Sequence, residues 1–407
     1  MNLWTKGNPS KYLGNERRYL TKVLNSENWS ATGGSWNGTL EREFALKHRQ
    51  KYAVSMNSGT ATLHAALEAV GVGPGDEVIV PALTVIMNST SVFHANAIPV
   101  YADVEEDTFN MDPKGLQALI TPKTKAIVVV ALYGLPANMD AIMEIANRNG
   151  IPVIEDNAQC FLGMYKGKLS GSFGAVSSWS FENTKHISCG EGGIITTDDP
   201  ILAERIRKFA GHGFKNLSAT EGRVRLNQEV FQNPNYKRHD SIGWNYRLPE
   251  FNAAVALAQL ERLDELVGLR RKTAEAFLNV MHDVDYLVPQ YTPTDRVNSY
   301  YTLGVKYLGN ESIGVSWEEF RKSYIDRGGD GIYGAWSVPY LEPAIAEGTF
   351  QSRNPQVYAG VKYEQGLCPV AEKIQPKLMQ FKTNYRSVKL AEKKAKILRD
   401  TIVSLKK

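Results

Sequence analysis

Between residues 51 and 197, short runs that are almost entirely apolar alternate with longer stretches whose apolar residues return every three or four positions. EVIV (77–80) and IVVVAL (127–132) are nearly all apolar, the pattern of strands buried on both faces in a parallel sheet covered by helices. The same reading predicts strands at 52–55, 77–80, 99–103, 126–131, 153–155, 175–180 and 193–196. Between them, residues 60–70 place Leu63, Ala66, Leu67 and Val70 on one helical face, and residues 139–149 follow Asn138, a helix-capping residue. Pro81, Pro99 and Pro152 fall at strand ends, where a missing N–H costs little. This alternation predicts an α/β fold, a mostly parallel seven-stranded sheet with helices on both faces.

The texture changes after Asn233. Residues 248–272 read as a single extended helix with Leu257, Leu260 and Leu263 along one face, a bridge to a second unit. Beyond it, residues 300–307 alternate as a strand, Trp317–Asp326 is helical, residues 328–331 form a glycine-rich loop and residues 386–405 close the chain as a charged helix. The expected division is a large domain over residues 1–260, with an N-terminal arm, and a smaller α+β domain over residues 261–407. The 407 residues, 43% of them hydrophobic, are enough for two cores at ~150 residues per domain.

Charge and cysteine content narrow the function. Lys+Arg 47 against Asp+Glu 43 leaves a net charge of +4, too small and too evenly mixed for a nucleic-acid or membrane-surface partner. Cys160, Cys189 and Cys368 show no C-x-x-C spacing, so neither a disulfide framework nor a four-thiolate zinc site is expected; an odd count suits a reducing compartment, with the cytoplasm the expected location. The opening MNLWTKGNPSKYLGNERRYL has no apolar core of the signal-peptide kind, and no stretch approaches ~18 apolar residues, so the expectation is a protein neither exported by that route nor membrane-spanning.

Three stretches carry candidate chemistry. Lys185 stands between a strand end (Trp179, Ser180) and a glycine-rich turn (Gly190, Gly192, Gly193), where backbone can approach a ligand closely; a solvated surface lysine is the plainer alternative. Asp156 follows an apolar strand, at the carboxyl edge where open α/β sheets bind ligands, and capping a turn is its alternative role. Ser58-Gly59-Thr60 leads straight into a helix, so free N–H groups and the helix dipole offer a phosphate site, or simply an N-cap. A phosphate cradle, a strand-end carboxylate and a lysine after a later strand are together the parts of a pyridoxal phosphate (PLP) site.

SFENTKHISCGEGG (180–193) resembles the Ser-Phe-x-x-x-Lys…Gly-Glu-Gly-Gly signature of the DegT-type sugar aminotransferases, a branch of the fold-type-I PLP enzymes. NSGTATLHAALEAVGVGPGDEVIVPALT (57–84), VIEDNAQ (153–159) and GWNYRLPEFNAAVALAQLERLDEL (243–266) are similar to further segments of that family in the same order, and CPVAEKI (368–374) extends the likeness toward the C-terminus. The resemblance implies that PLP is bound covalently to Lys185 as an internal aldimine, and that Lys185 then shuttles the proton between substrate and cofactor. It implies that Asp156 faces the pyridinium nitrogen, that Gln159 lies near the phenolic oxygen, and that Gly59, Thr60 and Ser180 hold the phosphate. Asn245 matches a position that reaches the cofactor of the neighbouring subunit, so a homodimer with shared active sites is implied.

The implied reaction moves the amino group of L-glutamate or L-glutamine to a keto or aldehyde carbon of a sugar, with a nucleotide-linked keto-deoxy sugar the usual acceptor. Octulosonates, cyclitols and aminohydroxybenzoate precursors are alternative acceptors. A dehydratase of the same fold, with histidine for the lysine, and a non-catalytic scaffold are the rival readings; Lys185 speaks against the first, and the joint presence of Lys185, Asp156, Gln159 and Ser180 against the second. Some positions depart from the family pattern: Val85 stands where an aromatic ring usually stacks on the pyridine, Ala131 where relatives often have histidine, and residues 378–384 lack a proline-bounded turn. His186 is expected to be structural, because neighbours in a strand or turn point different ways, whereas His212 and Arg247 are open candidates near the site.

Overall fold

The computed structural model describes residues 11–31, 34–220 and 226–405; residues 1–10 of the expected N-terminal arm lie outside the described residues. The seven expected strands form one sheet: Tyr52–Met56, Glu77–Pro81, Ile98–Ala102, Thr124–Val130, Val153–Asp156, Val176–Ser180 and Gly193–Thr197. Counted along the chain, they lie across the sheet in the order first, seventh, sixth, fifth, fourth, second, third. Only the seventh runs against the others, pairing antiparallel with both the first and the sixth. An antiparallel neighbour needs no crossover helix, so the sixth and seventh strands are joined by a loop alone, residues 181–192, and that loop carries Lys185.

The sheet is buried on both faces, as its unbroken apolar runs require. One side holds Val78, Val80, Val128, Val130 and Ile154 with the Gly59–Ala69 helix, and the other holds Ile79, Ile127, Val129 and Val153 with the Met139–Arg148 helix. Asn138 caps the latter through Ala141 N–H, and Asp199 caps the Pro200–Ala210 helix through the amides of Ile201 and Leu202. The edge of the sheet is covered by Trp36–Lys47, whose buried Glu41 accepts from Ser55 N–H (2.9 Å) and pairs with buried Arg207 at 2.9 Å.

Residues 248–272 are not one helix. Glu250–Leu260 and Leu263–Met281 are separated by a turn at Glu261 and Arg262. The apolar stripe misled because Leu257, Leu260 and Leu263 are three apart, a spacing a single turn preserves as well as a helix does. At the break, the side chains of Gln259 and Arg262 both donate to the Lys11 carbonyl at 3.2 Å. The second helix packs on Val388–Leu405 and on a four-stranded antiparallel sheet of Leu287–Pro289, Leu303–Tyr307, Leu378–Phe381 and Tyr333–Gly334. Phe277, Val305, Phe320, Tyr324, Phe381 and Leu398 form its core. Residues 338–374 turn back onto the large sheet, where Tyr340, Phe350 and Tyr358 pack with Phe93 and Tyr101.

Behind the seventh strand, His48 lies buried between Phe44 and Trp179, its ring centroid 4.0 and 4.5 Å from theirs. Its Nδ1–H donates to the Phe44 carbonyl at 3.0 Å, while Nε2 is buried without a partner. Burial pulls its pKa from 6.5 down to about 4. The unfolded chain therefore binds this proton below pH 6.5 while the folded chain refuses it until about pH 4, so its contribution is present above 6.5 and lost as pH falls through that window. The size is about 3 kcal/mol. Urea titrations of His48→Leu between pH 6.5 and 4 should show a shallower loss of stability than wild type; an identical slope would exclude His48 as a source of acid lability.

Candidate active site

Parallel strands present all their carboxyl ends at one edge, and the residues just past five of those ends line a single cavity of about 500 Å³. Gly59 and Thr60 follow the first strand, Val85 the second, Tyr133 the fourth, Asp156 and Gln159 the fifth, Ser180 and Lys185 the sixth. Seven of the eight cofactor-site residues expected from sequence thus share one cavity.

The start of the Gly59–Ala69 helix lies directly on the end of the sixth strand. A Cβ on Gly59 would sit 2.8 Å from Ser180 Cβ, closer than real contacts allow, so glycine is required for this approach. Ser58 caps the helix, its Oγ accepting from Ala61 N–H at 3.1 Å, and the first-turn amides face the cavity without intrahelical partners of their own. Ser180 Oγ accepts from Glu182 N–H at 3.3 Å and borders the same space. A dianionic phosphate fits there.

Asp156 ends the fifth strand, 4% exposed. Burial pushes its carboxyl pKa up; the Ala158 amide, which donates to Oδ1 at 3.0 Å, the Lys185 charge and the Asn88 side chain pull the other way. Such a group is best satisfied by a cation brought into the cavity. Gln159 Oε1 accepts from Tyr133 N–H at 2.9 Å, which fixes the amide and leaves its NH2 for a ligand oxygen. Tyr133 is held at φ 60°, a conformation uncommon for a bulky residue, and its ring fills the space over Gly304. Lys185 Nζ lies 4.7 Å from the centre of the Tyr301 ring. Phosphate cradle, buried carboxylate, amide and amine are placed as PLP needs them, and the residues fit that cofactor.

The remaining candidates lie elsewhere. Asn245 is exposed and bridges to Gly211, away from this cavity. His186 is fully buried, with Nε2–H donating to the Ser299 carbonyl at 3.0 Å; burial holds it well below its usual pKa, so it is structural and neutral. His212 offers its carbonyl to His239, and it does not line the cavity. Arg247 borders a larger hollow of about 1020 Å³ beside Glu41, Ser55 and Arg207. Size does not locate the chemistry here, since that hollow lacks Lys185, Asp156 and Gln159. Tyr301, Thr184, Glu182 and Trp336 also line the smaller cavity and were not expected from sequence, whereas Gln380 belongs to the segment 378–384 that departs from the family pattern. Tyr301 was hidden inside the expected strand 300–307; the strand begins only at Leu303, which frees the ring to turn toward Lys185.

A doubly covered, mostly parallel sheet with these groups at its carboxyl edge is the architecture of fold-type-I PLP proteins. The chain belongs to the DegT/DnrJ/EryC1/StrS aminotransferase family, a PLP-dependent family whose profile matches residues 12–321. It is 42% identical over 260 residues to a GDP-perosamine synthase of Caulobacter vibrioides (64% of this chain, 65% of that one). It is 39% identical over 291 residues to an L-glutamine:2-deoxy-scyllo-inosose aminotransferase of Streptomyces kanamyceticus (70% and 66%). The match thus spans just under two thirds of the length of either relative. Over 98% of both chains it superposes on the crystal structure of an aminotransferase from Psychrobacter cryohalolentis, with a TM-score of 0.84 and 30% identity.

Proposed function

We propose that this protein is a PLP-dependent aminotransferase that takes the amino group of L-glutamate or L-glutamine and delivers it to a keto or aldehyde carbon of a sugar, in amino-sugar biosynthesis. The observation that carries the reading is the single cavity shared by Lys185, Asp156, Gln159, Ser180 and the Gly59–Thr60 helix start. The names of the relatives supply the substrate classes: one makes a GDP-linked amino sugar, another uses L-glutamine and a cyclitol ketone. A nucleotide-linked keto-deoxy sugar is the first acceptor to test, and a cyclitol or other non-nucleotide ketone the second. Lys185, in place of a histidine, favours transamination over dehydration.

Bound PLP supplies a carbonyl that accepts an amino group and a ring that spreads negative charge. The amides of Gly59 and Thr60 and the hydroxyls of Thr60 and Ser180 hold its phosphate. Asp156 would hold the proton on the ring nitrogen; in general a charge pair at ~4 Å with an effective dielectric of ~20 is worth about 4 kcal/mol. Gln159 orients the ring through its NH2. Val85 gives one face apolar contact without the ~0.5–1.5 kcal/mol of an aromatic stack. Lys185 Nζ would hold the cofactor covalently at rest and would move the proton from the donor's α-carbon. Asn245, exposed in the single chain, completes the phosphate site of a second subunit in a homodimer. Free, buried Cys160 and Cys368 fit work in the reducing cytoplasm.

Loading the protein with pyridoxamine phosphate and finding which ketosugars restore the PLP absorbance tests the reaction and its acceptor together. Lys185→Ala should abolish transamination and the borohydride-sensitive absorbance near the visible edge while melting like wild type; turnover at the wild-type rate rejects the assignment. Asp156→Asn should keep the absorbance and lower kcat by roughly a thousandfold, the equivalent of about 4 kcal/mol, and retention of more than about a tenth of the activity removes its role. Lys185→Ala and Asn245→Ala chains, unfolded and reassociated together, should regain activity through hybrid dimers with one unmutated site. No recovery, with hybrids confirmed by mass, leaves Asn245 outside the partner's site.

A further inference from the structure

Tyr301 belongs to the segment that leads into the Leu303–Tyr307 strand, yet its side chain lies among residues of the large sheet's edge. Three bonds fix it. Its carbonyl accepts from Arg270 Nη1 and from Thr383 Oγ1, the latter at 2.8 Å, and its hydroxyl meets Thr184 Oγ1 at 2.8 Å. The direction of that last bond follows from chemistry. Thr184 has one O–H and gives it to Glu182 Oε2 at 2.6 Å, so the Tyr301 O–H must be the donor to Thr184. Glu182 Oε2 also accepts from Thr184 N–H at 2.9 Å, which pins the acceptor end of the chain to the same loop that carries Lys185.

The ring so fixed turns its face toward Lys185, with Nζ 4.7 Å from its centre, inside the ~6 Å range in which an aromatic face attracts an ammonium. The Arg270 guanidinium, 5.5 Å from the same centre, is held by the carbonyls of Thr184 and Lys185 at 2.7 and 3.0 Å, so lysine loop, ring and arginine form one rigid unit. A lysine that is covalently engaged at rest must, once displaced by an amino donor, stand unattached beside the reacting carbon, and it is an ammonium from the moment it takes the α-proton until it returns it. Left to itself, its four-carbon stem has many rotamers, most of them unproductive.

We propose that Tyr301 is the seat of the detached Lys185: its ring face holds Nζ within reach of the reacting carbon, and the Tyr301–Thr184–Glu182 hydrogen-bond chain holds the ring. The proposal rests on Lys185 being the cofactor-bearing lysine. Tyr301 keeps its own proton throughout, and the proton taken from the donor's α-carbon stays on Lys185 Nζ until it is returned.

The test uses the cofactor-free full-length protein, in which Lys185 is permanently detached. Its labelling by trinitrobenzenesulfonate, followed by peptide mass, reads how firmly the ammonium is seated. Tyr301→Leu should label about two- to fivefold faster than wild type, the factor a half-exposed cation–aromatic contact supports, while Tyr301→Phe, which keeps the ring, should stay close to wild type. In the loaded enzyme Tyr301→Leu should lower kcat with little change in KM for the amino donor, and Tyr301→Phe should recover most of it. Equal labelling in all three proteins overturns the proposal, and so does an equal rise in both variants, which would assign the effect to the hydroxyl. If Tyr301→Leu does not fold, Tyr301→Met serves: it too removes the aromatic face, and unchanged labelling there overturns the proposal as well. Borohydride fixation of PLP to a lysine other than Lys185 is a separate outcome, which defeats the functional reading itself.

Discussion

Two adjacent carboxylates, Glu155 and Asp156, are withdrawn from water at the end of a strand covered on both faces, and much of the local structure follows from making that tolerable. A buried carboxylate without donors costs several kcal/mol. Glu155 is met by the amides of Gly171, Phe173 and Gly174 at 2.7–2.8 Å, which shapes the turn that launches the sixth strand. Because Glu155 is satisfied chiefly by these backbone amides, its neighbour on the opposite side of the strand is the one left for a ligand. Asp156 keeps one amide partner and the nearby charge of Lys185. Under the proposed function, the protonated ring nitrogen of the cofactor would complete what the fold leaves incomplete.

The constraint propagates along the chain. The turn fixed by Glu155 sets where the sixth strand starts, its register against the fifth sets where Ser180 ends, and the loop beyond must return antiparallel within residues 181–192. Carbonyls in that loop are gathered by two cations: Lys11 Nζ donates to Asn183 at 2.7 Å and Lys185 at 3.2 Å, and Arg270 holds Thr184 and Lys185. Burial beside Arg270 and Arg386 draws the Lys11 ammonium down to about 7, and burial lowers Arg270 as well, so the donors that steady the loop are themselves kept dry. The backbone that carries the lysine is thereby fixed from two sides.

How much of this was legible in the sequence depends on whether the information is local. EVIV and IVVVAL announce doubly buried strands because nothing else explains an apolar run of that length, and every strand of the large sheet lay within a residue or two of its expected place. Lys185, Asp156 and Gly59 were legible through their neighbours: a glycine-rich turn, an apolar strand, a helix start. The helix break at Arg262 was invisible, since the leucine spacing is the same with or without it, and the Lys11 carbonyl that Arg262 meets there is about 250 residues away. Tyr301 could not be found for the same reason; its partners Thr184 and Lys185 lie more than a hundred positions upstream. Residues 338–374 gave no periodic signal because they are short turns and helices whose aromatics are buried by a sheet formed much earlier in the chain.

The two halves of the cavity come from different parts of the fold, and under the proposed function that separates what would bind the cofactor from what would select a substrate. Asp156, Ser180 and the Gly59 helix start are fixed by the large sheet, whose strands tolerate little change in side-chain volume. Ala335, Trp336 and Gln380 come from the far side, at the edge of the small antiparallel sheet, where Gln380 pairs with Tyr333 and its amide donates to the Gly334 carbonyl at 2.8 Å. Trp336 is more than half exposed at this rim, so changing it disturbs no packed interior. The departures from the family pattern divide in the same way. Ala131 lies in the tightly packed sheet, its N–H bonded to the Asp156 carbonyl, whereas residues 378–384 run along the rim. Under the proposed function, such a division lets the rim change with the acceptor while the sheet edge keeps one arrangement for the cofactor.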